Sequence, residues 1–274
     1  MIDKPKDISG YTAAQTDRAE QVLLEIWSHL GDYHEHLALV GGLAPRYLVP
    51  QDRENVPPHC GTLDVDLAVS LAVADVKAYA GIRQTLERIG LRPGINPRGN
   101  EQRHSFIMED AGGPVIVDFL TTRYDGPDTV VRTVEEQLSA IQVEGLGLAL
   151  KAPVTVSLRG QSLTGGIVST RLHVCRPVPF VVLKALAFEN RREGKDVHDL
   201  VYVLRYGGAT ANLADEITAD ERESAAFGHA METLKRNFGN PADDGPIRYS
   251  RFLQEAANAA NEAFATVQEF LQAL

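Results

Sequence analysis

The stretch Thr62-Leu63-Asp64-Val65-Asp66-Leu67-Ala68-Val69-Ser70 decides the reading of this chain, because two carboxylates alternate there with residues that favour burial. Successive side chains of a strand point to opposite faces, so Asp64, Asp66 and Ala68 share one face while Leu63, Val65, Leu67 and Val69 share the other. The apolar set belongs to a core. Asp64 and Asp66 then stand side by side, and like charges so placed raise each other's pKa unless something positive lies between them. A divalent cation meets that need. A half-exposed edge strand whose two acids are simply solvated is the other reading of the same nine residues.

The flanking sequence favours the cation. Leu37-Ala38-Leu39-Val40-Gly41-Gly42 is an apolar run ending in two glycines, and Leu43-Ala44-Pro45-Arg46-Tyr47-Leu48 follows with helical spacing. A strand that breaks at Gly-Gly into a helix leaves backbone N–H groups unpaired and lets a phosphate approach closely, which suits a triphosphate. Downstream, Pro114-Val115-Ile116-Val117-Asp118-Phe119-Leu120 is a second apolar strand with one carboxylate in its middle. An unpaired acid in such a run is costly unless it serves a site. Asp64, Asp66 and Asp118 together form a three-carboxylate set, hard oxygen ligands of the kind that hold magnesium and not zinc.

Gly41-Gly42, Asp64-Val65-Asp66-Leu67 and Val117-Asp118-Phe119 resemble the signature of the DNA polymerase beta-like nucleotidyltransferase superfamily. The segment from Lys184 through Arg191-Arg192-Glu193-Gly194-Lys195-Asp196-Val197-His198-Asp199-Leu200 resembles the corresponding segment of AbiEii-type toxins, the nucleotidyltransferases of type IV toxin-antitoxin systems. The likeness covers about residues 37 to 206. It departs from the family pattern in one place. Gly42 and Asp64 lie 22 positions apart, farther than the family usually places them. The excess, Val49-Pro50-Gln51-Asp52-Arg53-Glu54-Asn55-Val56-Pro57-Pro58, is polar and proline-bearing and reads as a loop insertion of small entropic cost.

The resemblance implies an α/β (α+β) nucleotidyltransferase fold, a mixed sheet flanked by helices and followed by a C-terminal helical region. It implies a catalytic domain over residues 1–170, with a helical domain over 171–274 contributing Lys184 and Asp199. The implied reaction moves a nucleoside monophosphate from an NTP to an acceptor hydroxyl. In it, Asp64, Asp66 and Asp118 hold two Mg2+ ions, with Mn2+ as a substitute, while Gly41, Gly42, Arg46 and Lys184 attend the phosphates. The implied acceptor is RNA, at the 3′ end of tRNA, in a toxin or phage-defence setting with a cognate antitoxin; no DNA partner is expected. Acceptors of other classes stay open: a protein, including the chain itself, or a small aminoglycoside-like molecule. So does a catalytically silent binding module of a defence system.

Composition bounds these readings. At 274 residues, 44% hydrophobic and 23% charged, the chain is long enough for a packed core and is ordinary for a globular protein. A formal net charge of -10 argues against a generally basic nucleic-acid coat while leaving room for a local basic patch. Arg191, Arg192, Lys195 and Arg205 are candidates for such a track, and Arg98, Arg103 and His104 for phosphate contacts. Cys60 and Cys175 form no Cys-x-x-Cys, which suits free thiols in a reducing compartment. Neither an apolar run of about 18 residues nor an N-terminal signal core is present, so no membrane partner is expected and the location is cytoplasmic.

The remaining pattern predicts local structure. Val22, Leu23, Ile26, Trp27 and Leu30 recur at helical spacing, which places a helix over residues 14–30 and assigns Trp27 to the core instead of a base-stacking role. His34, His36, His59 and Cys60 are zinc ligands by type, but their spacing fits no tidy ligand pattern. A helix is expected over residues 74–89, a turn-rich stretch over 92–100, and a hairpin joining the strand at 103–108 to the Asp118 strand. Residues 129–169 predict further strands or a crossover. Pro177 begins a helix in which Lys184 interrupts an apolar stripe. That lysine either meets an anion or carboxylate or snorkels to solvent. Asp196 and Asp199 sit at i and i+3 near the start of a helix over 195–206; the helix dipole accounts for one, and an ion pair with Lys184 is expected of Asp199. Two alanine- and glutamate-rich stretches, 211–238 and 249–274, read as C-terminal helices separated by residues 240–246.

Overall fold

The computed structural model describes residues 4–50, 53–70, 81–123, 131–135, 138–255 and 257–274. In chain order come α1 (Ala13–His29), β1 (Leu37–Val40), α2 (Pro45–Leu48), β2 (Asp64–Val69), α3 (Ile82–Arg88), β3 (Leu91–Ile95), β4 (Glu101–Met108) and β5 (Val115–Thr122). There follow β6 (Val131–Glu135), β7 (Leu138–Val143), α4 (Leu146–Leu150), β8 (Val154–Gln161) and β9 (Ile167–Val174). The rest is helical: α5 (Pro177–Arg191), α6 (Gly194–Tyr206), α7 (Thr210–Asp215), α8 (Ala219–Arg222), α9 (Ala225–Asn237), α10 (Asp244–Leu253) and α11 (Ala257–Ala273). The fold is the mixed α/β architecture expected, with an open sheet of parallel and antiparallel strands and C-terminal helices.

Two compact units share these elements. One is built from Ala13–Ala44 and Gly61–Cys175, the other from Asp3–Thr12, Pro45–Cys60 and Arg176–Leu274. The segment read as a loop insertion, residues 49–58, thus forms part of the second unit, follows α2 and offers its Pro57 carbonyl to the Tyr202 hydroxyl of α6 at 2.8 Å.

In the first unit the sheet order is β3-β4-β5-β2-β1-β9-β8, with β7 also pairing β5 and β6 pairing β7. β2 runs parallel to β5 and antiparallel to β1. One edge of β5 is divided: β4 pairs Val115 to Asp118, and β7 pairs Leu120 to Thr122. Val65, Leu67, Val117 and Phe119 are fully buried, and the Phe106 and Phe119 rings meet edge to face at 5.9 Å. The apolar alternation of the two strands supplies this core. Trp27 of α1 is also fully buried, stacked on His34 at 4.4 Å and donating its indole N–H to the Arg171 carbonyl at 2.7 Å. Its core assignment holds, and so does the hairpin between β4 and β5.

Several expectations need correction. Residues 92–95 of the stretch expected as turn-rich belong to β3; Pro93 and Gly94 are accommodated because β3 is an edge strand with a register shift at that step. Within residues 129–169, read as further strands or a crossover, Leu146–Leu150 is the helix α4 between β7 and β8. The helix expected over 74–89 is seen as Ile82–Arg88, while residues 74–80 lie outside the described residues.

In the second unit α5 starts at Pro177, whose missing N–H costs nothing in a first turn. The helical stretch expected over 211–238 comprises α7, α8 and α9, separated where Thr218 and Ser224 accept backbone N–H groups as N-caps, Thr218 within a full capping box with Glu221. α10 begins at Asp244, inside the expected break, because Pro246 falls in its first turn where no intrahelical N–H is required.

Candidate active site

The strand register brings the three predicted carboxylates onto one sheet face. Asp66 of β2 is paired directly with Asp118 of β5, and Asp64, two residues before Asp66, is paired with Ile116. In-register neighbours on adjacent strands project to the same side, so all three acids stand together. Asp64 is buried and accepts the Thr62 hydroxyl at 3.2 Å; Asp66 and Asp118 are half-buried. Asp118 occupies the last β4-paired position of β5, immediately before β7 takes over that edge. Burial lowers the pKa of His104 on β4, opposed by the nearby Asp118 charge.

The glycine pair adjoins the same acids. Val40 is paired with Asp66, and Gly41 turns the chain at φ +69°, a conformation glycine adopts without penalty. A Cβ built on Gly41 would land on the Asp66 carboxylate. The absence of a side chain at 41 is therefore what makes room for that carboxylate. Gly42 follows, buried, in a short 3-10 turn closed by the Ala44 N–H on the Gly41 carbonyl at 3.2 Å. Three hard oxygen donors beside a side-chain-free turn fit a divalent cation of the magnesium type.

Lys184, Asp196 and Asp199 belong to the second unit, where they form a buried charge network. The Lys184 ammonium stands 2.6 Å from Asp199 Oδ2 and 3.3 Å from Asp196 Oδ1, so it does not reach solvent. At Oδ2 the approach lies off the hydrogen-bond direction, leaving a contact ion pair without a directed hydrogen bond. Lys195 meets Asp199 Oδ1 at 2.6 Å, and Arg191 grips Asp196 with two contacts of 2.6 Å. The expected Lys184–Asp199 ion pair is present, with a second lysine that sequence reasoning did not assign.

Burial pushes the Asp199 carboxyl up, but Lys184 and Lys195 outweigh it and hold the pKa well below the usual carboxylate value. For Lys184, burial acts to lower the pKa while Asp199 and Asp196 raise it, and the carboxylates prevail.

His59 and His198 complete this cluster. His59 Nε2 lies 2.9 Å from Asp199 Oδ1, and His198 Nδ1 lies 3.4 Å from the same oxygen and 3.5 Å from Cys60 Sγ. Burial, with Lys195 adding to it, pushes the His59 pKa down to about 3, so a neutral imidazole donates its N–H to the carboxylate. The donor atoms of His59, Cys60, His198 and Asp199 lie within 4.8 Å of one another, a set compatible by type with a metal such as zinc. The electrostatics oppose one. Each Asp199 oxygen already faces an ammonium at 2.6 Å, and burial pushes the Cys60 thiol up to about 11. The zinc quartet considered from sequence does not assemble as such: His34 stacks on Trp27 in the first unit, whereas His59 and Cys60 join His198 and Asp199 in the second.

The remaining candidates divide similarly. Arg46 lies on α2 of the second unit. The expected basic track is ion-paired: Arg191 with Asp196, Lys195 with Asp199, Arg192 with Glu189 and Arg205 with Glu262. From sequence, His59 is weighed only as a zinc ligand and His198 has no role, so their shared contact with Asp199 goes unassigned. Their signal was a titratable pair, His198-Asp199, within a stretch of α6 whose residues 196–204 are all buried.

The family model described as nucleotidyl transferase AbiEii toxin, type IV TA system, matches residues 25–273. The chain belongs to this family. AbiEii membership makes it a nucleotidyltransferase, with an NTP as substrate and an antitoxin as the partner the family suggests. A comparison with curated proteins returns no match. Among the described residues no helix is long and apolar enough to cross a membrane.

Proposed function

We propose that this AbiEii-family protein transfers a nucleoside monophosphate from an NTP to a hydroxyl of RNA, at the 3′ end of a tRNA, in the cytoplasm and as the toxin of a defence system. The observation that carries the reading is the pairing of Asp66 with Asp118 beside the Gly41 turn. Asp64, Asp66 and Asp118 would hold two Mg2+ ions, which when bound supply acidity to the acceptor hydroxyl and neutralise the departing pyrophosphate. The acceptor oxygen bonds to the α-phosphorus, the bond to pyrophosphate breaks, and the hydroxyl proton leaves to water. Gly41 and Gly42 let the triphosphate approach the backbone, with Arg46, four positions beyond Gly42 in the chain, as counter-charge. Lys184 and Asp199 enter by their place in the family's sequence pattern; Lys184, kept charged by its two carboxylates, is assigned to the charge that develops on the phosphates.

Incubating the protein with each α-labelled NTP, Mg2+ and total RNA tests this directly. Label is expected on RNA, and chelation by EDTA is expected to abolish it until Mg2+ is restored. Asp66→Asn should lose about 10²-fold or more of the transfer rate while melting normally. Full transfer by that variant would overturn the ligand assignment, and label on the protein alone would replace RNA with self-modification.

A further inference from the structure

With the expected basic track neutralised, the question is which surface of this acidic chain offers positive charge to a polyanion. Residues 88–108 hold Arg88, Arg92, Arg98 and Arg103 against a single acid, Glu101, in a chain whose net charge is -10. Glu101 is itself engaged by Arg83 at 3.1 Å. All four of these arginines are exposed, and neither Arg92 nor Arg98 has an acidic partner among the described residues. Arg88 ends α3, and the other three lie on one hairpin, β3 with β4, whose connecting turn is fixed by Asn96: its side-chain oxygen accepts the N–H groups of Arg98 at 2.9 Å and Asn100 at 3.0 Å. Arg98 is therefore presented at the tip of an ordered turn.

The hairpin is also continuous with the carboxylate face. Arg92 is paired with Ile107, Ile107 with Ile116, and Ile116 with Asp64. The four residues form one row on one side of the sheet, so Arg92 stands three strand spacings from Asp64, roughly 14 Å. Ile95, 58% exposed beside the turn, adds an apolar surface of the kind a base can lie against.

We propose that the β3–β4 hairpin docks the phosphodiester backbone of the acceptor nucleic acid and leads it to the carboxylate face. The inference rests on the nucleic-acid acceptor reading above. Guanidinium groups suit the task because each presents several N–H donors in a plane that matches phosphate oxygens. The acids of the reaction face repel a polyanion, and a flanking basic hairpin supplies attraction at a distance that keeps the cation site clear.

The test is binding of fluorescein-labelled unfractionated RNA, measured by anisotropy over a salt series, for three proteins. These are the unaltered chain, a hairpin variant carrying Arg92→Glu, Arg98→Glu and Arg103→Glu, and a control carrying Lys235→Glu, Arg236→Glu and Arg251→Glu on exposed helical positions. The control undergoes the same change in net charge. The hairpin variant is expected to lose about 30-fold or more in affinity at low salt, with the slope of log K against log salt falling by about 2 to 3, whereas the control keeps its slope. Equal weakening of both variants, or an unchanged slope in the hairpin variant, overturns the inference. Asp66→Asn separates docking from chemistry, since it should bind RNA like the unaltered chain. Transfer of label only to protein, without RNA binding by the unaltered chain, removes both the acceptor reading and the docking surface.

Discussion

Asp199 carries the negative charge that two buried ammonium groups require. Replacing it with alanine leaves Lys184 and Lys195 desolvated without it, and the expected loss is about 3–5 kcal/mol, read as a lower urea midpoint. The pH dependence has a definite sign in each range. Asp196 and Asp199 have lowered pKa values, so their contribution is present above the ordinary carboxylate value of 3.8 and fades as pH falls below it. Lys184 and Lys195 have raised values, so theirs is complete below 10.5 and fades as pH rises past it. His59 acts earlier: between pH 6.5 and about 3 the unfolded chain takes a proton that the folded imidazole refuses, and stability falls through that window. His198 shifts in the same direction. Urea unfolding at pH 7.5, 5.5 and 4.5 should show this decline, with a shallower one in His59→Gln. The shared sheet face of Asp64, Asp66 and Asp118 was legible because strand alternation sorts the first two from their apolar neighbours and the third is a lone acid in an apolar run. His59 was not, because its meaning depends on an aspartate 140 positions away that no local pattern announces.

Close backbone approach sets two element-level predictions. Gly41→Ala places a methyl group on the Asp66 carboxylate at a φ of +69°, so transfer activity should fall sharply and stability by about 1–3 kcal/mol, measured by turnover and thermal melting. Gly194→Ala brings a Cβ to 2.9 Å from the Arg248 carbonyl oxygen and from Phe252 Cβ, pressing α6 off α10. That variant should melt lower by a similar free energy. Helices with a strong apolar stripe and a clear start, α1 and α5, could be read from sequence because periodicity and Pro177 act locally. The strand β3 could not, since Pro93-Gly94 has the chemistry of a turn and only its edge position permits a strand. The breaks among α7, α8 and α9 follow from Thr218 and Ser224, residues common in helices whose capping role appears only in the folded backbone.

At the level of the whole chain, an acidic net charge and the polyanionic acceptor proposed above pull apart. The proposed docking hairpin would resolve the tension locally, because net charge governs solubility while the placement of a few arginines governs where a phosphate strand is attracted. A chain ending after Cys175 should retain every strand but be poorly soluble, since segments 3–12 and 45–60 would lack the rest of their unit; sedimentation of the truncated product checks this. The interleaving of the two units also has a consequence for synthesis. His59 leaves the ribosome 140 residues ahead of Asp199, and at about 5–20 residues per second it waits roughly seven to thirty seconds for its partner. By the end of that interval all the described strands have been synthesised, so the buried pairing of His59 with Asp199 can close only after the sheet has left the ribosome.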